Sequence, residues 1–96
     1  MSIRITIKEA EIDQLDGGGT PIIYFKGKPF TGIVYENEVD GSLAWEEEYL
    51  NSYQEGWTKY YYKNGKIKEE YKSHNNKVVE GTFKEWDEKG NLINSF

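Results

Sequence analysis

The chain has 96 residues, a formal net charge of −5 and no cysteine. Without cysteine there are no disulfides and no zinc–thiolate sites, and a net acidic chain lacks the basic footprint of nucleic-acid binding. No stretch approaches the roughly 20 apolar residues that span a bilayer, and the first residues lack the apolar run of a signal peptide. We therefore expect one small cytoplasmic domain without a cofactor or metal, with neither nucleic acid nor membrane as its partner.

The composition favours a β-sheet protein. Aromatic side chains make up 16% of the residues, with eight tyrosines and three tryptophans. Such broad, amphipathic rings suit the surface of a sheet better than the interior of a helical bundle. Ten glycines and only two prolines fit a chain with many tight turns. These features predict an all-β fold, an antiparallel meander of hairpins in a twisted open sheet.

Residues 1–19 are expected to form an N-terminal strand and a glycine-rich turn. Ile3, Ile5 and Ile7 alternate with polar residues, as in a half-buried strand. Residues 8–15 fit either a helix or a strand that continues to about Ile12, and we favour the strand. The triple glycine that follows is not succeeded by the lysine of a phosphate-binding loop, so it is interpreted as a turn.

Residues 20–96 are expected to form a series of hairpins within the same domain. Apolar runs alternate with clusters of turn-forming residues throughout this part of the chain. A first hairpin is predicted from two strands at residues 21–25 and 30–34. The strands expected after it lie at residues 43–50, in the hairpin of residues 56–71, and at residues 82–86 and 92–96.

The hairpin of residues 56–71 carries the strongest turn signal, Asn64-Gly65 between two aromatic-rich runs. A two-residue turn would pair Tyr62 with Ile67. We favour a three-residue loop, because it pairs Tyr61 with Ile67 and collects four large apolar side chains on one face, namely Trp57, Tyr61, Ile67 and Tyr71. The opposite face would then display Tyr60, Tyr62, Lys66, Lys68 and Glu70.

The same glycine frame occurs three times. Pairs of glycines nine residues apart stand at positions 32 and 41, 56 and 65, and 81 and 90, so that the frames repeat every 24 or 25 residues. Two residues after the second glycine of each pair comes an aliphatic residue, Leu43, Ile67 or Leu92. A period of this length indicates stacked hairpin units, none of which buries its own face alone.

The frame from Gly56 to Glu69, G-x-x-x-x-Y-x-x-N-G-x-I-x-x-E, resembles the MORN-repeat variant. The preceding segment Y-F-K-G-K-P-F-T-G, which ends at Gly32, is similar to the lead-in of the YwqK-like bacterial antitoxins. The resemblance covers roughly residues 20–96. It implies a sheet of MORN-like hairpins and the role of an antitoxin or immunity protein that neutralises a cognate toxin.

Three consecutive carboxylates, Glu46, Glu47 and Glu48, form the densest acidic cluster. On a strand Glu46 and Glu48 share a face about 7 Å apart, a separation that also suits acid–base catalysis. No arginine clamp or pocket signal accompanies them, so we expect no catalytic residue and favour a surface that binds a partner. His74, the sole histidine, is expected at the surface and is too isolated for a metal site.

We therefore predict a face that binds a basic toxin surface through an acidic strand and aromatic anchors. The residues expected to bind the partner are Trp45, Glu46, Glu48, Tyr60 and Tyr62. Tyrosine and tryptophan are frequent anchors of protein interfaces, and acidic-on-basic steering speeds association. The tyrosines could instead pack against a neighbouring hairpin.

Other interpretations remain open at this stage. Residues 36–55 are acidic without a lysine or arginine, whereas residues 56–78 are rich in lysine, so neighbouring strands could neutralise each other across the sheet. A MORN-type scaffold could use those lysines to bind another protein or an anionic lipid. An enzyme acting through the glutamate cluster is a further alternative. The sequence is compatible with a monomer and with a homo-oligomer paired through its last strand.

Overall fold

The computed structural model describes residues 3–96, which form strands and turns with no helix among them. The all-β class predicted from composition is confirmed. The strands in chain order are β1 (Arg4–Thr6), β2 (Glu11–Leu15), β3 (Pro21–Phe25), β4 (Lys28–Pro29), β5 (Gly32–Asn37), β6 (Leu43–Leu50), β7 (Tyr53–Tyr61), β8 (Ile67–His74), β9 (Lys77–Val78), β10 (Lys84–Trp86) and β11 (Leu92–Ser95).

The strands belong to two sheets. The large sheet has the order β1-β5-β6-β7-β8-β10-β11, with the short strand β9 also paired to β8. Its pairs are antiparallel except for the outermost pair, in which β1 runs parallel to β5. The small sheet has the order β2-β3-β4. The two open sheets are therefore mixed and antiparallel, and the small one was not anticipated.

The N-terminal prediction was wrong where it continued the first strand to Ile12. Residues 7–9 form a turn, which separates β1 in the large sheet from β2 in the small sheet. Glu9 explains the break, because its Oε1 accepts hydrogen bonds from the Thr6 backbone N–H at 2.9 Å and from the Thr6 hydroxyl at 3.1 Å. Such a local side-chain bond competes with continuation of a strand.

The first predicted hairpin is also corrected. Strand β3 turns at Lys26 and Gly27, and the strand that follows it, β4, has only two residues. The Phe30 N–H still donates to the Ile23 carbonyl oxygen, but the chain then crosses to the large sheet, where residues 32–37 pair with β1 and β6 and not with residues 21–25. Gly32 allows this crossing, since its backbone φ is +149° and an added methyl group would lie 2.3 Å from the Ile3 carbonyl oxygen.

Turn geometry recurs with the period of the glycine frame. In each of the three loops of the frame a backbone N–H donates to the carbonyl oxygen four residues later, from Glu38 to Ser42, Tyr62 to Lys66 and Asp87 to Asn91. The glycine of each loop has a φ near +90°, at Gly41, Gly65 and Gly90. The loop from Asp16 to Thr20, which precedes the frame, has the same hydrogen bond and a φ of +87° at Gly19. Glycine adopts this left-handed conformation without steric penalty. Two-residue turns with positive φ connect β3 to β4, β6 to β7 and β8 to β9. They are Lys26-Gly27, Asn51-Ser52 and Asn75-Asn76.

A bulge follows each of the three loops and changes the side-chain faces. The preferred pair of Tyr61 with Ile67 is confirmed, but Tyr60 then pairs with Glu69, so that Lys68 is an extra residue. Thr58, and not Trp57, therefore stands opposite Tyr71. The prediction that Trp57 and Tyr71 share a face was wrong, because one inserted residue exchanges the two faces of a strand.

The core lies between the two sheets. Its fully buried members are Ile5, Ile23, Phe30, Val34 and Tyr49. Phe30 is 2% exposed and packs edge-on against Phe25 with ring centroids 6.1 Å apart. We call the face of the large sheet that carries Ile5, Val34 and Tyr49 the inner face, and the opposite one the outer face. Within residues 3–96 no helix is long and apolar enough to cross a membrane.

Candidate functional site

The outer face of the large sheet carries aromatic and charged side chains. Because side chains alternate along a strand, the residues that share this face on β1, β5, β6 and β7 are Arg4, Ile33, Tyr35, Glu46, Glu48, Trp57, Lys59 and Tyr61. Five of them line a shallow hollow of about 70 Å³, namely Ile33, Glu46, Glu48, Trp57 and Lys59. We call this set of eight residues the outer-face site.

Glu46 is the centre of the outer-face site. Its Oε1 lies 3.3 Å from Nη1 of Arg4, and its Oε2 accepts a hydrogen bond of 3.0 Å from the Tyr61 hydroxyl. The Arg4 guanidinium also lies 4.9 Å from the centre of the Tyr35 ring, within the range of a cation–π interaction. Burial and the bond to Glu46 raise the pKa of Tyr61 to about 12, so its hydroxyl stays a neutral donor.

Glu48 holds the neighbouring bulge in β7. Its Oε1 accepts a hydrogen bond of 2.9 Å from the backbone N–H of Trp57. Gly56 makes room for this arrangement, since its φ is +109° and an added methyl group would lie 3.0 Å from the Glu48 carboxyl carbon. The bulge places two extra residues on β7 between the pairs Glu47–Thr58 and Tyr49–Gln54. The bulge therefore determines the position of the Trp57 indole.

Trp57 lies between two lysines on the outer face. The ammonium groups of Lys59 and Lys72 are each 5.9 Å from the centre of its ring. Across the sheet, Glu46 pairs with Lys59, Lys59 with Glu70, and Glu70 with Lys84. Alternating charges on neighbouring strands match the neutralisation considered from the sequence. Among the side chains that the structure describes, which exclude that of Asp13, the only lysine or arginine within 4 Å of a carboxylate is Arg4, beside Glu46.

The five residues predicted to bind a partner do not share one face. Glu46 and Glu48 lie together on the outer face, as expected from their spacing. Trp45 packs against the core on the inner face, where its indole N–H donates to Glu36 at 3.2 Å. Tyr60 is directly opposite Trp45 in the sheet and therefore also lies on the inner face. The prediction that Tyr60 points outwards with the lysines was wrong, because the core lies on the face of β7 that carries Thr58 and Tyr60.

Tyr62 occupies a third location, the loop between β7 and β8. Its hydroxyl donates a hydrogen bond of 2.8 Å to the Trp86 carbonyl oxygen. The ammonium of Lys68 lies 5.9 Å from its ring centre, so the expected neighbourhood of Tyr62 and Lys68 is present. Tyr62 therefore connects two hairpins and is separate from the outer-face site.

The sequence interpretation assigned Trp57 and Tyr61 to the buried face and so missed them as site residues. Both are half-buried on the outer face beside Glu46 and Glu48. The repeated glycine frame locates the loops, but it does not reveal which face of β7 is covered. In the structure one inserted residue follows each of the three loops. The inserted residues Ala44, Lys68 and Ile93 have the 24- and 25-residue spacing of the frame.

His74 is exposed, as expected, and its Nδ1 lies 2.9 Å from Oε1 of Glu55. The hydrogen bond from His74 lowers the pKa of the Glu55 carboxyl. Across residues 3–96 no cluster of three or more histidine, cysteine, aspartate or glutamate side chains is arranged to hold a metal ion. No protein-family model matches the chain, and no match was found among curated proteins or solved structures.

Proposed function

We propose that the chain is an antitoxin or immunity protein that binds a cognate bacterial toxin domain in the cytoplasm. The outer-face site is the surface through which it binds. The observation that carries this proposal is the position of Trp57 and Tyr61, two large aromatic rings beside Glu46 and Glu48 on a sheet face that no other described strand covers.

The chemistry of the outer-face site suits a protein partner. Its tryptophan and two tyrosines combine apolar rings with polar tips, a residue class that supplies most hot spots of protein interfaces. The hydrogen bonds of Glu46 with Tyr61 and of Glu48 with the Trp57 N–H hold these groups in place before binding. A prearranged surface loses less conformational entropy when the partner docks.

The resemblance to YwqK-like antitoxins indicates that the partner is a toxin. Two observations support it: the lead-in segment that ends at Gly32, and the recurrence of loop geometry at Gly41, Gly65 and Gly90. The MORN-like repeat is part of the same proposal. The net charge of −5 favours a toxin with a basic surface, because opposite net charges speed the encounter of two proteins.

The lysines considered for a lipid-binding scaffold are dispersed. Lys63 and Lys66 lie in the loop between β7 and β8, whereas Lys77 lies in β9, beyond the opposite end of that hairpin. Lys59 and Lys72 adjoin Trp57 in the middle. A polybasic patch that attracts anionic headgroups concentrates its charges on one surface, so this arrangement favours the protein partner.

Co-expression with the cognate toxin tests the proposal. We expect the chain to restore growth and to co-purify with the C-terminal domain of that toxin. The double variant Glu46→Lys with Glu48→Lys should lose both effects, whereas Glu80→Lys with Glu88→Lys should retain them. Both control residues are exposed outside the outer-face site, and the two double variants have the same net charge. Equal protection by both would show that the outer face is not the binding surface.

A further inference from the structure

Glu47 differs from its two neighbours because its side chain lies on the inner face. It stands opposite Val34 of β5 and Thr58 of β7 in the sheet. Both of these neighbours are buried, Val34 with 0% and Thr58 with 1% of its surface exposed. Glu47 itself is half-buried. The structure thus places a carboxylate at the margin of the core, between two buried side chains of the neighbouring strands.

No cationic side chain of residues 3–96 lies within 4 Å of this carboxylate. Its hydrogen bond comes from the amide Nε2 of Gln54, which donates to Oε2 at 2.6 Å. Among described residues the only fully buried side-chain polar atom without a partner is Oγ of Ser52. The second oxygen of Glu47 is therefore not sealed in the interior and can be reached from the inner face.

Aromatic side chains surround Glu47 on the same face. Trp45 and Tyr49 precede and follow it by two residues on β6, and Tyr60 stands diagonally across on β7, opposite Trp45. Tyr71 of β8 lies beyond Thr58 in the same row. Diagonal neighbours in a sheet are about 7–8 Å apart, within reach of long side chains. Trp45, Tyr49 and Tyr60 are thus the nearest aromatic neighbours of Glu47 on this face, and Tyr71 lies one strand farther away.

The titratable groups on this part of the inner face supply no positive charge. Burial raises the pKa of Tyr49 well above its usual range and the pKa of Tyr60 to about 12, so both phenols are neutral at physiological pH. Strand β5 contributes Val34 and the more distant Glu36, and β8 contributes Tyr71 and Glu69, which is opposite Tyr60. Every charged group among them is acidic, and the local field therefore attracts a cation.

We propose that the inner face around Glu47 is a second interaction site, which binds a guanidinium or ammonium group of a partner protein. The carboxylate forms the ion pair, and the rings of Tyr60 and Tyr71 contact the flat or methylene part of the arginine or lysine side chain. Aromatic faces beside a carboxylate are a recurrent way to hold such a cation. This site lies on the sheet face opposite the outer-face site, and its existence does not depend on the proposed antitoxin function.

Linkage between protonation and binding makes the proposed site testable. Burial raises the pKa of Glu47 to about 7, so near neutral pH the free protein holds a mixture of protonated and ionised carboxyl groups. A cation binds the ionised form, and its binding must therefore lower the apparent pKa of Glu47. A neutral ligand of the same shape has no such effect.

Carboxyl NMR of the whole chain, labelled with ¹³C at glutamate side chains, tests this site. The probe is Nα-acetylarginine amide, and its neutral analogue Nα-acetylcitrulline amide is the control ligand. We expect the arginine ligand to shift the Glu47 carboxyl signal saturably and to lower its titration midpoint by about one pH unit, equivalent to tenfold tighter binding of the ionised form. The citrulline ligand should leave the midpoint unchanged.

Two variants complete the test. Tyr60→Leu with Tyr71→Leu should weaken the arginine effect at Glu47 several-fold, because the rings are lost while the carboxylate remains. Glu80→Gln should leave it intact, since Glu80 is exposed and belongs to neither site. The proposal is overturned if arginine and citrulline ligands act alike, or if the Glu47 midpoint does not move at saturating arginine.

Discussion

Gly32 and Ile3 lie so close together that no side chain fits between them. The backbone N–H of Ile33 donates to the Ile3 carbonyl oxygen at 2.8 Å, and a methyl group on Gly32 would stand 2.3 Å from that oxygen and 2.8 Å from the Phe30 ring. This contact attaches the parallel strand β1 to β5. It also places Arg4 where its guanidinium meets Glu46 in the outer-face site.

Gly32→Ala should therefore destabilise the protein strongly. The added Cβ meets backbone, which cannot rotate away, and the φ of +149° is unfavourable for alanine. We expect the free energy of unfolding to fall by about 3 kcal/mol or more. Urea denaturation measures it. Gly17→Ala is the matched control, because no atom lies within 4 Å of its added Cβ, and it should change stability by less than about 0.5 kcal/mol.

Ser52→Gly should stabilise the protein. Ser52 is 3% exposed, has a φ of +80°, and its hydroxyl is the buried polar atom without a partner. Glycine relieves both the strained conformation and the unsatisfied hydroxyl, while the backbone bonds to Ile23 and Phe30 remain. We expect a gain of about 1 kcal/mol in the free energy of unfolding.

Ser52→Ala separates the two causes. Alanine removes the hydroxyl but keeps a Cβ in the left-handed region, so its gain should be smaller than that of glycine. Thermal denaturation of the two variants side by side gives the comparison. A lower melting temperature for Ser52→Gly than for the parent chain would show that the Ser52 hydroxyl contributes to stability.

Glu47→Gln should change how stability depends on pH. The folded state raises the pKa of this carboxyl from 4.5 to about 7, so between these values the folded chain binds more protons than the unfolded chain. Its contribution to stability is therefore lost as the pH rises from about 5 to 8. The variant lacks this titration. We expect it to be about 1–3 kcal/mol more stable than the parent at pH 8, with the difference much reduced at pH 5.

Urea unfolding at pH 5 and pH 8 checks this prediction. Glu80→Gln, at an exposed position, serves as the control and should leave the pH dependence of the parent unaltered. A stability difference between Glu47→Gln and the parent that is the same at pH 5 and pH 8 would contradict a half-buried Glu47 without a cationic partner.

The turns of this protein could be predicted from its sequence, whereas its bulges could not. Asn64-Gly65 and the glycine frame locate the loops because few residues adopt a positive φ without strain. The residues inserted after each loop, such as Lys68, follow no composition rule of their own. Since one inserted residue exchanges the two faces of β8, the pair of Tyr61 with Ile67 was predicted correctly and the face of Tyr71 was not.

The candidate site, like the fold, could be predicted from the sequence only in part. The period-two geometry of a strand places Glu46 and Glu48 together and Glu47 opposite to them, and the structure confirms the shared face. Which of the two faces is covered depends on the small sheet of β2, β3 and β4. That sheet begins after the turn in which Glu9 binds Thr6 and ends the first strand. This contact is local, but its effect on the sheet arrangement is not apparent from hydrophobic alternation.

Trp57→Ala should weaken binding of the toxin domain about thirtyfold or more, as expected for a central aromatic anchor worth about 2 kcal/mol. Isothermal titration calorimetry measures the loss. Phe96→Ala is the matched control, because this ring is 71% exposed and packs with Phe83, remote from the outer-face site. An equal loss of affinity in both variants would indicate a general effect on the fold.

The proposed binding surface is tested most directly by the indole N–H signals of the three tryptophans in ¹⁵N NMR. Trp57 lies on the outer face and Trp45 on the inner face, so each reports on one side of the same sheet. On addition of the unlabelled toxin domain, we predict that the Trp57 indole signal shifts or broadens while that of Trp45 keeps its position. A complex that perturbs Trp45 and leaves Trp57 unchanged would contradict binding through the outer face.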